Sequence, residues 1–356
     1  MQTFKNYITL FVLFFIVSSC ALKDHEPEKT CRYAGQNYIS KSVNNTYINT
    51  NTRNSDYEFD DNGLPVKLMS SSLLESIDSV TKVIVNGFTD TKQYVFQYNE
   101  NGFLSRLIYT YTRQYQDAGS YLDSDYGGFV HARIETVETT DFIYKSDKIQ
   151  TTATKILYTI QGDNRSLVTV NSERIKNYQY DANMQILSAG EIFSDGTKNI
   201  TQFTNGIMSS SSRLTKSGVP YSTTTYNAKG QTILIKNSGT EDIISYTNGN
   251  LTKILNSSNN RLLYQQDFFY DTFQNPETAI PSMFKGIPDP VLTIQTDGVN
   301  NQTGVKFIDL PGNSGFESQT SYKYNSNGFP ETSIYILNQR GNITEGHTTY
   351  KYKDCQ

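Results

Sequence analysis

Tyr121, Asp123, Asp125 and Tyr126 share one stretch rich in Tyr, Asp and Gly, Arg113 to His131. Flat rings beside carboxylates suit carbohydrate recognition: a ring stacks on a sugar face while a carboxylate accepts from its hydroxyls. These four are the candidate ligand-binding residues. Asp123-Ser-Asp125-Tyr-Gly127-Gly128 has the carboxylate spacing that opens a calcium loop, but the ligand series stops too early, and turn chemistry accounts for it more simply. Glu135 with Glu138, or Asp60 with Asp61, offers a carboxylate pair, yet proximity in sequence without geometry is no ground for glycoside hydrolysis. His25, His131 and His347 have no metal-type partner at i+2 or i+4. HExxH, CxxC, GxSxG, Walker and Rossmann patterns are absent. No catalytic residue, metal or cofactor follows from the sequence.

The cysteines carry the firmest chemistry. Lys5 gives a short positive start, and Ile8 to Val17 is an apolar run too short to span a bilayer comfortably. Val17-Ser18-Ser19-Cys20 then resembles the lipobox of bacterial lipoproteins, an aliphatic residue and two small residues before Cys. The resemblance implies that residues 1–19 are a signal peptide and that Cys20 becomes the acylated first residue of the mature chain, palmitate among its acyl groups. Each buried methylene contributes ~0.8 kcal/mol, so several chains anchor firmly. Ala21 is not the Asp of an inner-membrane retention signal, which favours the outer membrane. Lys23-Asp24-His25-Glu26-Pro27-Glu28 resembles the acidic surface-export signal of Bacteroidota lipoproteins, with His25 interrupting it; a solvated tether is the simpler alternative. Residues 20–37 are read as lipidated Cys and tether. Cys31 and Cys355 remain, near the two ends of the folded part, and an even pair in an exported protein is expected to be bridged. Closing so long a loop corresponds to roughly 5 kcal/mol in the chain-entropy picture.

The rest of the chain must position whatever chemistry exists, and it is repetitive. An aromatic, one residue, a second aromatic, Asp or Asn and a turn recur, as in Tyr57-Glu-Phe59-Asp60-Asp61-Asn62-Gly63, Phe96-Gln-Tyr98-Asn99-Glu100-Asn101-Gly102 and Tyr322-Lys-Tyr324-Asn325-Ser326-Asn327-Gly328. Looser copies end at Tyr144, Tyr180, Phe203, Tyr226, Tyr246 and Tyr270, and Tyr350-Lys-Tyr352 reads as a closing strand. Residues i and i+2 of a strand share a face, so each copy puts two bulky groups on one side just before a turn. Asn-Gly supplies the φ > 0 positions of hairpins, and alternating segments follow. Composition agrees, with 26 Tyr, 19 Phe and no Trp, rings that suit a half-wet β-surface. The net charge of −4 and the lack of a basic stripe give no footprint for nucleic acid. The expected fold is all-β, a long antiparallel meander of roughly 16–20 strands curling into a barrel or half-barrel, with few or no helices after the signal peptide. Copies in the middle, 20–24 residues apart, read as one hairpin each, and the longer intervals as two hairpins or an insertion. A short helix or a loop is allowed at Ser71–Ser79.

The phrase resembles the YD repeat of Rhs-type shell proteins. The whole layout resembles a family of Bacteroidota outer-membrane lipoproteins with a porin-like β fold, through Phe269-Tyr270-Asp271 followed by Asn275-Pro276 and a final Tyr322, Tyr324, Gly328 and Pro330. This resemblance implies a fold and no particular activity. Copies at Tyr144 and Tyr246 depart from the phrase. The single domain at 38–356 is interrupted at about 113–131 and at about 272–319, the latter holding Pro276, Pro281, Pro288, Pro290 and Pro311.

Loops on a rigid scaffold are where binding resides. The expected role is that of a lipid-anchored envelope lipoprotein, outer-membrane and surface-facing in one reading, with a binding or structural function. The alternative is a glycan-binding or glycan-processing surface protein acting through the insertion loops. A membrane-embedded barrel is disfavoured, because polar residues interrupt both faces of many strands. Non-reducing peptide mass spectrometry is expected to find Cys31 and Cys355 in one linked pair; free thiols at both would remove the expectation that the chain ends meet.

Overall fold

A computed structural model describes residues 32–43, 46–115, 133–161, 168–279, 284–288, 298–312, 314–339 and 341–353. The chain divides into two compact units. One comprises residues 1–32 and 352–356, of which 32, 352 and 353 are described. The other, Tyr33–Lys351, is the barrel.

Twenty strands form one antiparallel sheet in which each strand pairs with its neighbours in sequence and β1 also pairs with β20. They are β1 (Arg32–Val43), β2 (Tyr47–Phe59), β3 (Pro65–Asp78), β4 (Ile84–Tyr98), β5 (Leu104–Tyr115), β6 (Arg133–Lys145), β7 (Lys148–Gln161), β8 (Val168–Tyr180), β9 (Ile186–Ile192) and β10 (Lys198–Thr204). Then come β11 (Ile207–Leu214), β12 (Pro220–Tyr226), β13 (Thr232–Asn237), β14 (Thr240–Thr247), β15 (Asn250–Ser258), β16 (Arg261–Gln274), β17 (Asn300–Asp309), β18 (Ser314–Tyr324), β19 (Pro330–Gln339) and β20 (Asn342–Lys353). The meander is therefore a closed barrel, which leaves no free edge.

Ser71–Ser79 is neither helix nor loop: through Asp78 it lies in β3, paired on both sides. The Leu73-Leu74 doublet reads as helical only in isolation, whereas pairing with β2 and β4 satisfies every ladder group. The long early intervals are single pairs of long strands. From Phe59 to Tyr98 there are only β3 and β4, of 14 and 15 residues, whereas β9 to β15 have 6–9. Pairing also resumes inside the proline-rich stretch, since β16 runs to Gln274 and β17 starts at Asn300.

The turn chemistry explains the repeat. The Asn99 side chain accepts from the backbone N–H of Asn101 and of Phe103, each at 3.0 Å. Asp60, Asp181, Asn227 and Asn325 accept in the same i+2 and i+4 pattern. Gly102 takes φ 76°, which closes the turn and throws a bulge into the ladder. The departing copies use a different turn with the same result: Ser146 and Asp147 take φ 49° and 61°, and Asn248 and Gly249 take 53° and 85°. In both turn types the ladder slips by one residue just before the second aromatic, at Gln97/Tyr98, Ile143/Tyr144 and Ser245/Tyr246 alike.

Opposite that aromatic stands the first or second residue of the next strand, and in four copies it is fully buried. Leu104 and Ile149 are 0% exposed, and Pro65 and Pro330 are also fully buried. In three copies the tyrosine hydroxyl reaches the preceding hairpin: Tyr98 donates to the carbonyl of Pro65 (2.8 Å), Tyr144 to Leu104 (2.9 Å) and Tyr180 to Ile149 (2.7 Å). Hairpins are covalently joined only at the far end, so these bonds staple them at the turn end. In the copy at Tyr324 the hydroxyl donates to the Asp271 carboxylate.

The connection between β16 and β17 caps the same end. Its short 3-10 helix, Pro276–Ala279, is followed by a described piece, residues 284–288. Phe284 stacks on Phe96 at 5.6 Å, the Lys285 ammonium donates to the carbonyl of Asn101 (3.0 Å) over the Phe103 ring, and Ile287 is buried. The larger apolar layer thus lies across one end of the barrel, built from the aromatic phrases and this plug; a smaller cluster of Tyr115, Ile134 and Tyr158 around buried Ile160 lies at the other end.

Among the described residues the outer wall has no apolar band. Cross-strand pairing sets Gln97, Arg106, Asp141, Ala153, Ile175, Ile192 and Lys198 side by side. Ion pairs join Arg106 to Asp141 (2.6 Å), Lys351 to Asp56 (2.8 Å) and Lys236 to Glu241 (3.1 Å) on the outer face. Exposed Ile39, Ile143, Leu157, Ile334 and Ile336 are interleaved with these polar groups.

Two glycines in the same left-handed conformation separate strain from packing. A Cβ at Gly102 meets nothing within 4 Å, so Gly102→Ala is expected to cost only the backbone penalty, ~1–2 kcal/mol. At Gly286 (φ 78°) a Cβ falls 2.7 Å from the Phe103 ring, so Gly286→Ala adds overpacking of about 1–3 kcal/mol. Chemical denaturation of the two variants checks the order.

Candidate binding site

Period-two alternation fixes which side chains enter the lumen. Counting back by twos from the aromatic pair of β8, Tyr178 and Tyr180, gives Lys176 and Arg174. Counting back from Phe142 and Tyr144 of β6 gives Thr140 and Glu138. Cross-strand register places them in two inward rows, Phe96–Leu107–Thr140–Thr154–Arg174 and Phe142–Thr152–Lys176–Glu191–Asn199. A cavity of about 530 Å³ opens against these rows, with Ile287 of the plug as its floor and Tyr94, Tyr109 and Tyr178 on its sides.

Arg174 is the centre of the cavity's electrostatics. Its Nη2 donates to Glu138 Oε2 at 2.7 Å, and its Nε lies 3.6 Å from Glu191 Oε1. The second contact is within ion-pair reach but too long for a hydrogen bond, and Nε is buried with no hydrogen-bond acceptor among the described residues. Glu138, Arg174 and Glu191 are 26%, 32% and 17% exposed, so water or a solute reaches them while the barrel wall limits screening. The Lys176 ammonium lies 5.5 Å from the centre of the Tyr178 ring. Two carboxylates and two cations thus balance in one chamber.

Tyr94 and Tyr109 face each other across β4 and β5 with ring centres 4.7 Å apart. Burial raises both hydroxyls, that of Tyr109 to about 12, and the Glu138 carboxylate adds to the rise in each. Both are neutral phenols at neutral pH, able to donate. Further along the same wall Arg113 forms a two-pronged bond to Asp90 (2.7 Å each) with the Phe88 ring 4.2 Å away.

A second cavity, of about 390 Å³, lies against other strands, β1 and β16 to β20, with Glu277 of the 3-10 helix at its edge. Asp271, near the end of β16, accepts from the N–H groups of Phe273 (2.9 Å) and Asn301 (3.2 Å) and fixes that edge.

The expected sites meet this geometry unevenly. Tyr121, Asp123, Asp125 and Tyr126 lie outside the described residues, as do Cys20, Cys31 and Cys355 and the histidines His25 and His131. Tyr115 and Arg133, the described residues on either side of 116–132, sit at the barrel end opposite the plug. Glu135 and Glu138 are three apart on β6 and face opposite sides: Glu138 enters the lumen, and Glu135 stays outside within 3.8 Å of Arg133. Asp60 is occupied as a turn acceptor. His347 is on the outer wall, 2.9 Å from Glu345. No group of three or more His, Cys, Asp or Glu able to hold a metal occurs among the described residues. Arg174, Lys176 and Glu191 were missed, because charged residues in a strand read as solvent-facing until their phase is compared with the aromatic pair that follows.

No protein-family model matches this chain, and no curated protein matches it. Among solved structures, a porin-like protein from Bacteroides uniformis is similar, with a TM-score of 0.37 and 14% identity over 81% of this chain and 96% of that one.

Phenols raised by folding give a defined alkaline response. The folded pKa of Tyr109 lies above the unfolded value near 10. Its stabilising contribution is therefore complete below pH ~10 and is lost as pH rises toward 12, where the unfolded chain releases protons first. Tyr109→Phe is expected to flatten the fall of the thermal midpoint between these pH values, which differential scanning fluorimetry with an extrinsic dye measures.

Proposed function

We propose that the protein is a lipid-anchored envelope protein of the outer membrane, held through acylated Cys20, whose barrel stands in water and binds a carbohydrate in the chamber around Arg174. The observation that carries this reading is the Glu138–Arg174–Glu191 cluster set among tyrosines inside a barrel. Lumen positions of a purely structural barrel are best filled by apolar side chains, because each buried charge costs several kcal/mol before pairing returns it. Here both signs are kept in an open chamber, between the apolar layer of the capped end and the smaller apolar cluster around Ile160 at the other end.

The chemistry fits a neutral, hydroxyl-rich ligand. Balanced charges provide donors and acceptors without selecting a charged solute, and aromatic rings provide stacking faces. Arg174 between the two carboxylates suits binding: glycoside hydrolysis requires two carboxyl groups flanking an open bond position, one of them a proton donor. The polar outer wall supports a barrel tethered by lipid, since an embedded barrel needs an unbroken apolar belt. The lumen thus stands beside the insertion loops as a place for recognition.

The Cys20→Ala protein, exported with its signal intact, tests both halves. In a Triton X-114 separation it is expected to enter the aqueous phase while wild type enters the detergent. On a glycan array the same soluble protein is expected to retain a ligand that Arg174→Met loses at unchanged thermal midpoint. Detergent partitioning by both proteins, or a glycan profile indifferent to Arg174, would sink the corresponding half.

A further inference from the structure

The wall formed by β2, β3 and β4 carries two cations that the chamber around Arg174 does not use. Alternation and register place Arg53, Ser72 and Asp90 in one inward row, which continues to Arg113 on β5. The next inward row holds Ser55, Ser70 and Lys92 and continues to Tyr111. Arg53 and Lys92 thus stand diagonally across a floor of two serines, Ser70 and Ser72, and both are exposed. We propose that this part of the lumen binds a tetrahedral oxyanion, the phosphate or sulfate group of a small solute, between the Arg53 guanidinium and the Lys92 ammonium.

The argument is one of unbalanced charge. Asp90 is the one carboxylate in these two rows, and it is already occupied. Arg113 donates to both of its oxygens at 2.7 Å, and the Tyr111 hydroxyl donates to Oδ1 at 3.1 Å. Burial, followed by the Asp90 charge, raises the Tyr111 phenol to about 12, so it remains the donor. Lys92 makes no hydrogen bond or ion pair among the described residues. Arg53 is positioned without being neutralised: its Nε donates to Asn51 Oδ1 at 3.3 Å, and its guanidinium carbon stands 5.7 Å from the Tyr38 ring centre. A ring contact consumes no N–H, so the Nη donors of Arg53 keep no acceptor among the described residues. The inward positions of β1 and β2, and those of β3 from Leu68 to Ser76, hold no carboxylate. The Glu277 charge of the plug acts on Tyr57 and Tyr350, whereas Arg53 lies two inward positions beyond Tyr57 along β2.

The geometry suits a compact ion with several oxygens. Two strand spacings and one pleat period separate the backbones of Arg53 and Lys92, a diagonal of roughly 12 Å that two long side chains close from both ends. The guanidinium fork matches two oxygens of one tetrahedral anion, the ammonium meets a third as a point charge, and the serine hydroxyls add donors from below. The barrel wall focuses the field of the two like charges into the lumen. A neutral sugar would leave both charges unanswered, and a cation would be repelled. The site does not rest on the carbohydrate reading, because neither Arg53 nor Lys92 lines the chamber around Arg174.

The test is calorimetric titration of the full chain in a polyoxyethylene detergent and Tris chloride. Sodium phosphate, sodium sulfate and sn-glycerol 3-phosphate serve as probes, with sodium acetate as the planar control. At least one tetrahedral oxyanion is expected to bind saturably, and acetate at least about tenfold more weakly. Phosphate against its glycerol ester separates a free ion from a group carried on a larger solute. Lys92→Met and Arg53→Met are each expected to weaken the bound anion by about tenfold or more at unchanged thermal midpoint, the scale of one charge-assisted hydrogen bond. Arg174→Met, in the other chamber, is expected to leave it unaltered. The proposal is overturned if none of the three probes saturates, if acetate binds equally, if either lumen substitution leaves the affinity unchanged, or if Arg174→Met abolishes binding. Should a variant fail to fold, the wild-type comparison with acetate and the remaining variants decide.

Discussion

The barrel depends on a bulge that recurs at one end of its hairpins and on the tyrosine that follows it. A hairpin closed by Asp60 or Asn99 forces one extra residue into the next strand, and that slip aims the second aromatic across the rim. From there the Tyr98 hydroxyl reaches the Pro65 carbonyl, Tyr144 reaches Leu104, and Tyr180 reaches Ile149. These bonds join pieces that no turn joins at that end. They also complete a buried accounting: Leu104 and Ile149 are wholly covered, and a covered carbonyl left unpaired would carry a desolvation penalty of ~1–3 kcal/mol. The same ring therefore supplies cover and hydrogen bond at once, which is why tyrosine rather than phenylalanine ends these strands.

The bulge also fixes phase, and phase decides everything that faces the lumen. A slip of one residue exchanges the two faces of a strand. With the rim locked, Glu138 and Arg174 are held inside, while Asp141 and Arg106, each an odd number of residues from an inward position, are held outside as an ion pair. Polar groups on both faces would be a poor basis for a sandwich, where one face must be dry. A closed barrel tolerates them, because every ladder group is paired and the apolar burial is gathered at its ends, around Phe96, Phe103, Phe142 and Phe284 at the capped one and around Ile160 at the other.

Much of this was legible in the sequence. The aromatic pair with Asp or Asn and Gly announced strand, turn and face, because backbone chemistry at φ > 0 leaves few residue choices. Strand length was not legible: 39 residues between Phe59 and Tyr98 accommodate two short hairpins as readily as two long strands, and only pairing distinguishes them. The Leu73-Leu74 doublet in β3 misled for the same reason. The chambers were hidden further. Arg174 and Lys176 look like ordinary exposed charges until their spacing from Tyr178 is counted, and Glu277 stands in a segment with no period to count. The plug contact between Phe284 and Phe96 joins residues far apart in the chain, and nothing local encodes it.

The plug ties stability to recognition. Phe284 and Ile287 complete the apolar layer, while Glu277 and Ile287, from the same connection, border the two chambers. Loosening this segment exposes core and dismantles both cavities together, whereas a change in the lumen rows higher up the wall touches one cavity and little of the core. The burden of folding thus falls on the turn end, where the phrase repeats with small variation. The walls above it, β4 to β10 on one side and β16 to β20 on the other, need only keep their phase, so their inward residues can differ in charge from one side to the other. That division is the physical reason one repeated phrase can frame two chambers of unlike chemistry.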